Sequence, residues 1–393
     1  MTNKFLDLRA IALFSAVLVS QAGLTQDRPA QLTLQTLDGP IIADRVLGGL
    51  REPVAIEFLP DGDALVLQRN IGVISRADLA IGEKADITGL PPLIVKEAAG
   101  VHDIELHPDY VENGWIYIAY TEGEEFHSTA VLDRFRLDGT RATDVERIFT
   151  ADAYSEGLYH FAARIAFVGD YVYLAIGDRQ HPPTAQALDN HAGTVVRLHD
   201  DGRVPDDNPF VHAEPVDDVQ PRPEIWSYGH RDPQGLYTHP ETGELWLHEH
   251  GPRGGDELNL VKAGANYGWP VISFGFEYDG GPIGMGLPMQ QGMEVPLWVY
   301  VPSIAPSDMV IYDGDAFPGW RGDFLIGAMA GVHLNRLVPW NGEIVAEERI
   351  GRFVMGRIRS LAVDDAGRVY LGSDNGEIWR LRPVDESDST AQR

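Results

Sequence analysis

One pattern recurs six times along these 393 residues: an apolar stretch, a turn rich in Pro, Asp and Gly, then alternating apolar residues. The first copy is Ile56-Glu57-Phe58-Leu59-Pro60-Asp61-Gly62, followed by Ala64 to Leu67. Others run from Leu106-His107-Pro108-Asp109 into Trp115–Tyr120, from Ile165–Asp170 into Tyr171–Ile176, and from Tyr237–Pro240 into Leu245–His248. The last two run from Met309–Tyr312 into Phe324–Ala328 and from Leu361–Gly367 into Val369–Leu371. Period-2 alternation marks strands, and Asp-Gly or Pro-Asp marks the turn between them. Each copy therefore reads as a β-hairpin. Starts fall at irregular intervals of roughly 50–75 residues, as when loops vary between repeats. Six units predict an all-β fold, a six-bladed β-propeller of four-stranded antiparallel sheets. A β-sandwich also uses many short strands. A chain this long would need two or three of them, and no proline-rich linker divides it. One propeller is expected over residues 45–383, with an N-terminal extension at 23–44 and a polar tail at 384–393. In such a ring, loops distant in sequence converge on one mouth.

Charge narrows the partners. The formal net charge is −28, from 59 acidic and 31 basic residues. Phosphate binding needs a basic face, so nucleic acid is excluded as a partner. Docking on an anionic membrane surface is disfavoured for the same reason. The carboxylates serve solubility, or some of them hold calcium. There is no cysteine, which excludes disulfides, thiolate zinc sites, iron–sulfur clusters and cysteine nucleophiles. At the N-terminus, Lys4 and Arg9 precede the apolar run Ala10 to Val19. Ser20-Gln21-Ala22 then supplies small residues for a cut after Ala22. This is the pattern of a signal peptide over residues 1–22, implying export to the periplasm. The run is short for a membrane span, and no later segment reaches spanning length. The expectation is not an integral membrane protein.

The most informative stretch is Glu224 to Pro270. Its loop Gly229-His230-Arg231-Asp232-Pro233-Gln234-Gly235 presents a cation beside a carboxylate. One hairpin later comes His250-Gly251-Pro252-Arg253-Gly254-Gly255-Asp256-Glu257. Glycines around a proline let carbonyl oxygens turn inward, and carbonyl and carboxylate oxygens suit a hard cation such as calcium. A tight turn stapled by a salt bridge would use the same residues.

This block resembles the signature of the soluble, pyrroloquinoline-quinone-dependent glucose/sorbosone dehydrogenases, which include the aldose sugar dehydrogenases. The similarity continues through Gly193–Leu198, Asp206–Phe210, Pro302–Ser307, Gly314–Gly322 and Gly356–Arg359, and spans about Glu52 to Leu381. The resemblance implies a flat tricarboxylate quinone (PQQ) at the propeller mouth. It implies that Arg231, Arg357 and Arg359 answer the carboxylates, with Asp232 and Arg253 beside them, and that Ser303 donates a hydroxyl hydrogen bond. It implies a cofactor calcium (Ca2+) on the carbonyls of Gly251 and Pro252, and a structural calcium at Glu257 and Tyr267. It implies that His160, in His160-Phe161-Ala162-Ala163-Arg164, is the general base and that Arg231 assists at the reacting centre.

Five positions, in four stretches, depart from the family pattern. Ala98 stands where a glutamine is usual, and Ala162 and Ala163 where glycines are. Asp232 replaces an asparagine, and Ala330 a lysine. A lost cation and a gained anion both weaken binding of a tricarboxylate, each charge-assisted hydrogen bond being worth roughly 1.5–3 kcal/mol. Arg253 and His102 are the basic residues placed to compensate. The expected activity is that of an oxidoreductase acting on the C1 CH–OH group of aldose sugars and passing electrons to a periplasmic acceptor. The chain is expected to be a monomer or homodimer. A calcium-dependent propeller lactonase and a cofactor-free binding propeller are the alternatives.

Overall fold

The computed structural model describes residues 29–215, 218–385 and 388, so residues 1–22, expected to be a signal peptide, lie outside the described residues. The described residues open with β1 (Gln31–Thr36) and β2 (Gly39–Leu47). Blade 1 is β3 (Pro53–Phe58), β4 (Ala64–Gln68), β5 (Val73–Asp78) and β6 (Glu83–Asp86). Blade 2 is β7 (Val101–Leu106), β8 (Ile116–Glu124), β9 (His127–Asp138) and β10 (Arg141–Thr150). Blade 3 is β11 (Ala162–Val168), β12 (Tyr171–Ile176), β13 (Thr194–His199) and β14 (Ile225–Tyr228). Blade 4 is β15 (Pro233–Thr238), β16 (Leu245–Glu249), β17 (Asp256–Leu260) and β18 (Trp298–Tyr300). Blade 5 is β19 (Pro306–Ile311), β20 (Phe324–Ala328), β21 (His333–Trp340) and β22 (Glu343–Ile350). Blade 6 holds β23 (Ile358–Val363), β24 (Val369–Ser373) and β25 (Glu377–Pro383), with β2 and then β1 added at its outer edge.

The first strands adjoin in a closed ring, β3 to β7 to β11 to β15 to β19 to β23 and back to β3. The fold is thus a six-bladed propeller, and each of the six hairpins read from the sequence is the inner pair of a blade. Inner strands are covered on both faces by neighbouring blades, so they read as continuous apolar runs. Leu65, Val66 and Leu67 of β4 are each 0% exposed, whereas all of β6 is exposed. That contrast is why only the inner pairs were legible.

The segment expected to be an extension behaves differently. Its part from Gln31 onward pairs with the last blade: β2 runs antiparallel to β25, with Ala43 opposite Leu381. Leu34, Ile41 and Ala43 enter the same core as Trp379 and Leu381. An open β25 edge would leave unpaired backbone groups, and β2 covers it with strands from the other end of the chain.

Every blade carries a register slip at the start of its first strand. The slips lie between Pro53 and Ala55, Val101 and Asp103, Ala162 and Arg164, Pro233 and Gly235, Pro306 and Met309, and Ile358 and Ser360. Such bulges bend a strand and re-aim its side chains. In an antiparallel pair, the start of the first strand and the end of the second share one end of the blade. The loops that enter first strands and leave second strands therefore gather on a single face.

The other end of the axis holds a cavity of about 510 Å3 lined by Glu57, Asp103, Glu105 and Asp308, among others. Buried Arg164 stands beside it, 3.4 Å from Asp103 and 3.9 Å from Asp308, and donates to the Ser307 carbonyl at 2.8 Å. One cation does not neutralise four carboxyls. Burial, with mutual repulsion, pushes Glu57 up to about 8 and Asp308 up to about 7, and raises Asp103 and Glu105. These groups hold protons in the fold that the unfolded chain releases near its ordinary carboxyl values. For Glu57 and Asp308 the stabilising effect is complete below about pH 4 and is lost as pH rises through about 7 to 8. Thermal melts should show Tm falling from about pH 5 to about pH 9. Glu57→Gln should flatten that decline, and an unchanged slope in the variant would contradict it.

Candidate active site

Residues at the gathering face come from all six blades. His160 sits just before β11, with φ of +52°. Its Nδ1 lies 2.6 Å from Oδ1 of Asp178, which follows β12 and is fully buried. The same oxygen accepts the Gln180 N–H at 2.8 Å, and Oδ2 accepts the Trp269 indole N–H at 2.8 Å. Asp178 is thus fixed as an acceptor, so His160 Nδ1 must be the donor. That leaves Nε2 as the site that takes a proton. Nε2 is 4.0 Å from Oδ2 of Asp232. Burial works against the imidazolium, but the charge of Asp232 and the bond to Asp178 outweigh it, so His160 titrates above its ordinary value.

Asp232 is the more unusual group. It is buried, and its Oδ1 has no hydrogen-bond partner among the described residues. Burial opposes its charge, yet His160, His250 and Arg231 together hold it well below the usual carboxylate range. Its Oδ2 is 3.5 Å from Nδ1 of His250, whose Nε2 is 2.7 Å from the Pro306 carbonyl. Arg231 is buried beside it. Its backbone N–H donates to Glu249 at 2.6 Å, and Nη1 donates to the His250 carbonyl at 3.1 Å. The guanidinium sits 5.3 Å from the Trp269 ring, and its Nε is buried without a partner among the described residues.

Arg357 and Arg359 converge on one carboxylate. Arg357 is 3.0 Å from Asp374, Arg359 bonds the same group, and Arg359 also reaches Glu52 at 3.1 Å. Glu52 in turn pairs with Arg69. The Arg357 side chain remains 50% exposed. Ser303 does not offer its proton to the mouth: Oγ donates to Asp256 Oδ2 at 2.7 Å. Asp256 Oδ1 accepts the Gly251 N–H at 3.0 Å, so Ser303 braces the loop that carries Gly251. Arg253 is exposed and makes no ion pair among the described residues.

That loop encloses a small cavity of about 20 Å3, lined by Gly251, Gly255, Glu249, Glu257 and Tyr267, among others. Pro252 is not among the lining residues. A Cβ on Gly251 would stand 2.2 Å from the Gly254 carbonyl oxygen, so only glycine permits this approach. Burial pushes Glu257 up to about 8, and the neighbouring Glu249 and Asp256 add to it.

Of the departures noted above, Ala162 and Ala163 stand at φ of +57° and +58°, a conformation glycine adopts without strain. His102 is buried, 2.9 Å from the Thr121 hydroxyl and 5.4 Å from the Phe161 ring. Burial and the nearby arginines Arg69, Arg164 and Arg179 hold it well below its ordinary value, so it supplies no cation at neutral pH. Sequence reasoning missed Asp178 and Trp269. A signal existed for Asp178. It lies two residues past the inner second strand β12, much as His250 follows β16 and Asp374 follows β24.

The model of the family described as Glucose / Sorbosone dehydrogenase matches residues 50–380. This chain belongs to that family. It is 34% identical to the aldose sugar dehydrogenase YliI of Escherichia coli K12, over 85% of this chain and 91% of that one. It is 29% identical to quinoprotein glucose dehydrogenase B of Acinetobacter calcoaceticus, over 71% of this chain and 63% of that one. The crystal structure of the soluble E. coli aldose sugar dehydrogenase in its apo-form superposes with a TM-score of 0.81 at 32% identity, covering 87% of this chain and 99% of that one.

The family's cofactors can be tested against these residues. Three guanidiniums stand on one face, and the unmet Arg231 Nε is the kind of buried donor that a bound carboxylate satisfies. The small cavity has room for a single ion, and its Glu257 carboxyl is held neutral where no cation meets it. Asp232 Oδ1 opposes a tricarboxylate. The donor set otherwise fits both groups.

Proposed function

We propose that this glucose/sorbosone dehydrogenase family member oxidises the C1 hydroxyl of aldose sugars to lactones in the periplasm, using PQQ and Ca2+. One observation carries the reading: His160 is held at the mouth by Asp178, with Nε2 free to accept a proton. The sugar's anomeric O–H proton passes to that nitrogen as the C1–H leaves with its electron pair, and the C–O bond becomes C=O. Asp178 fixes the tautomer and Trp269 fixes Asp178. Arg231, Arg357 and Arg359 would hold the quinone's carboxylates, the last two giving up Asp374 to do so. Arg231 also offsets the Asp232 charge beside His160. Gly251 and Pro252 would offer carbonyls to a cofactor calcium, and Glu257 and Tyr267 would hold a structural one. The quinone would supply a two-electron acceptor for the hydride, and the metal a Lewis acid. Among the described residues, no helix is long and apolar enough to cross a membrane.

Reconstitution tests the reading. Purified apoprotein given PQQ and calcium should reduce a redox dye with aldoses. Failure across a panel of aldohexoses and aldopentoses would remove it. Calcium should act on stability as well. At a concentration of ~100 times Kd, it should add about 2.7 kcal/mol to unfolding. Glu257→Gln should abolish most of that gain in calorimetry, and an undiminished response would place the ion elsewhere.

A further inference from the structure

The residue after Asp178 is also part of the site. Arg179 is 1% exposed, and its backbone holds φ of +55°. Among the described residues its guanidinium bonds nothing acidic. Nη2 donates to the Gly157 carbonyl at 2.8 Å and to the Ser128 hydroxyl at 3.4 Å. Nη1 donates to the Tyr159 carbonyl. The group also lies 3.5 Å from the centre of the Phe161 ring. One cation therefore grips the two carbonyls before His160 and the ring directly after it. Its own carbonyl accepts the Ser155 hydroxyl at 3.2 Å, closing the loop from the other side.

Burying a guanidinium is expensive, and an apolar side chain could fill this volume. Two features need arginine. Only a planar fork reaches two carbonyls and stacks on a ring at once, which lysine cannot do. Only a charge offsets the carboxylates of Asp178 and Asp232, the groups with which Arg179 interacts electrostatically. Burial lowers Arg179 to about 10, so it stays charged at neutral pH. His160 itself stands at positive φ, a strained conformation that persists only where its surroundings over-determine it. The grip on both flanks supplies that constraint.

We propose that Arg179 is a positioning residue for His160, clamping residues 157–161 so that Nε2 faces the mouth and supplying the buried positive charge that balances Asp178 and Asp232. This rests on the reading of His160 as the base. The charged groups that act on His160 are Asp232 and Arg231 from the loop before β15 and Asp178 from the segment after β12; Arg179 acts on the two carboxylates, and His250 is reached through Asp232.

The test uses Arg179→Gln, Arg179→Lys and Phe161→Leu in the full chain. Two readouts apply: the His160 ring titration by NMR in the apoprotein, and kcat and KM of the reconstituted enzyme. Arg179→Gln removes the offsetting charge, so the His160 midpoint should move up by about one pH unit. Arg179→Lys keeps the charge and loses the fork. Its midpoint should stay close to that of the parent while kcat falls by roughly ten- to a hundredfold at similar KM. Phe161→Leu should lower kcat in the same way without moving the midpoint. If Arg179→Gln does not fold, the other two variants carry the test. A parental midpoint in Arg179→Gln, or parental kcat in both Arg179→Lys and Phe161→Leu, overturns the proposal. A shifted midpoint in a protein that turns over no aldose would keep the clamp and sink the oxidation reading instead.

Discussion

His160→Ala is expected to lower kcat on every aldose by about 10²- to 10⁴-fold, the range over which a positioned general base acts. Cofactor binding should survive, because Arg231, Arg357 and Arg359 are untouched. The pH dependence should change with it. In the parent, burial works against the imidazolium, but Asp232 and then Asp178 prevail and raise the His160 titration. The base is therefore protonated and inactive at low pH, and kcat/KM rises as pH increases through its titration. In His160→Ala, the rising limb should disappear. Steady-state rates across pH with intact PQQ absorbance would show both effects. A variant that keeps parental kcat would exclude His160 as the base.

The second large effect is expected at Asp232→Asn. The carboxylate opposes a tricarboxylate cofactor and raises the neighbouring imidazole. Removing its charge should tighten quinone binding by about tenfold or more, since about 1.4 kcal/mol of relieved repulsion corresponds to tenfold. It should also move the rising limb of kcat/KM down by about one pH unit, because the His160 imidazolium loses a stabilising anion. Titration of apoprotein with quinone measures the first and a pH–rate series the second. Weaker binding in Asp232→Asn would mean that the carboxylate accepts a hydrogen bond from the bound ring, and the repulsion argument would fall.

Much of this architecture follows from short-range pattern. The inner hairpin of each blade is buried on both faces, so its residues must be apolar in sequence order. Ile165–Asp170 followed by Tyr171–Ile176 announces β11 and β12 without any knowledge of their neighbours. The outer strands face water on their far side and carry no such mark, as the wholly exposed Glu83–Asp86 shows. The capture of β2 by β25 joins Ala43 to Leu381, a contact that periodicity at either end does not encode.

The site divides along the same line. The order of residues by itself determined which side chains stand at blade entrances: His160 before β11, Arg231 and Asp232 before β15, and Arg357 before β23. Only the closed ring decided what they meet. Asp178 reaches His160 across an antiparallel pair, and Trp269 reaches Asp178 from 91 residues away. Asp374 draws Arg357 and Arg359 together, and Ser303 is spent on Asp256. Apolar alternation is a local consequence of burial. The partner of a charge is set by which loops the ring brings within a few ångströms.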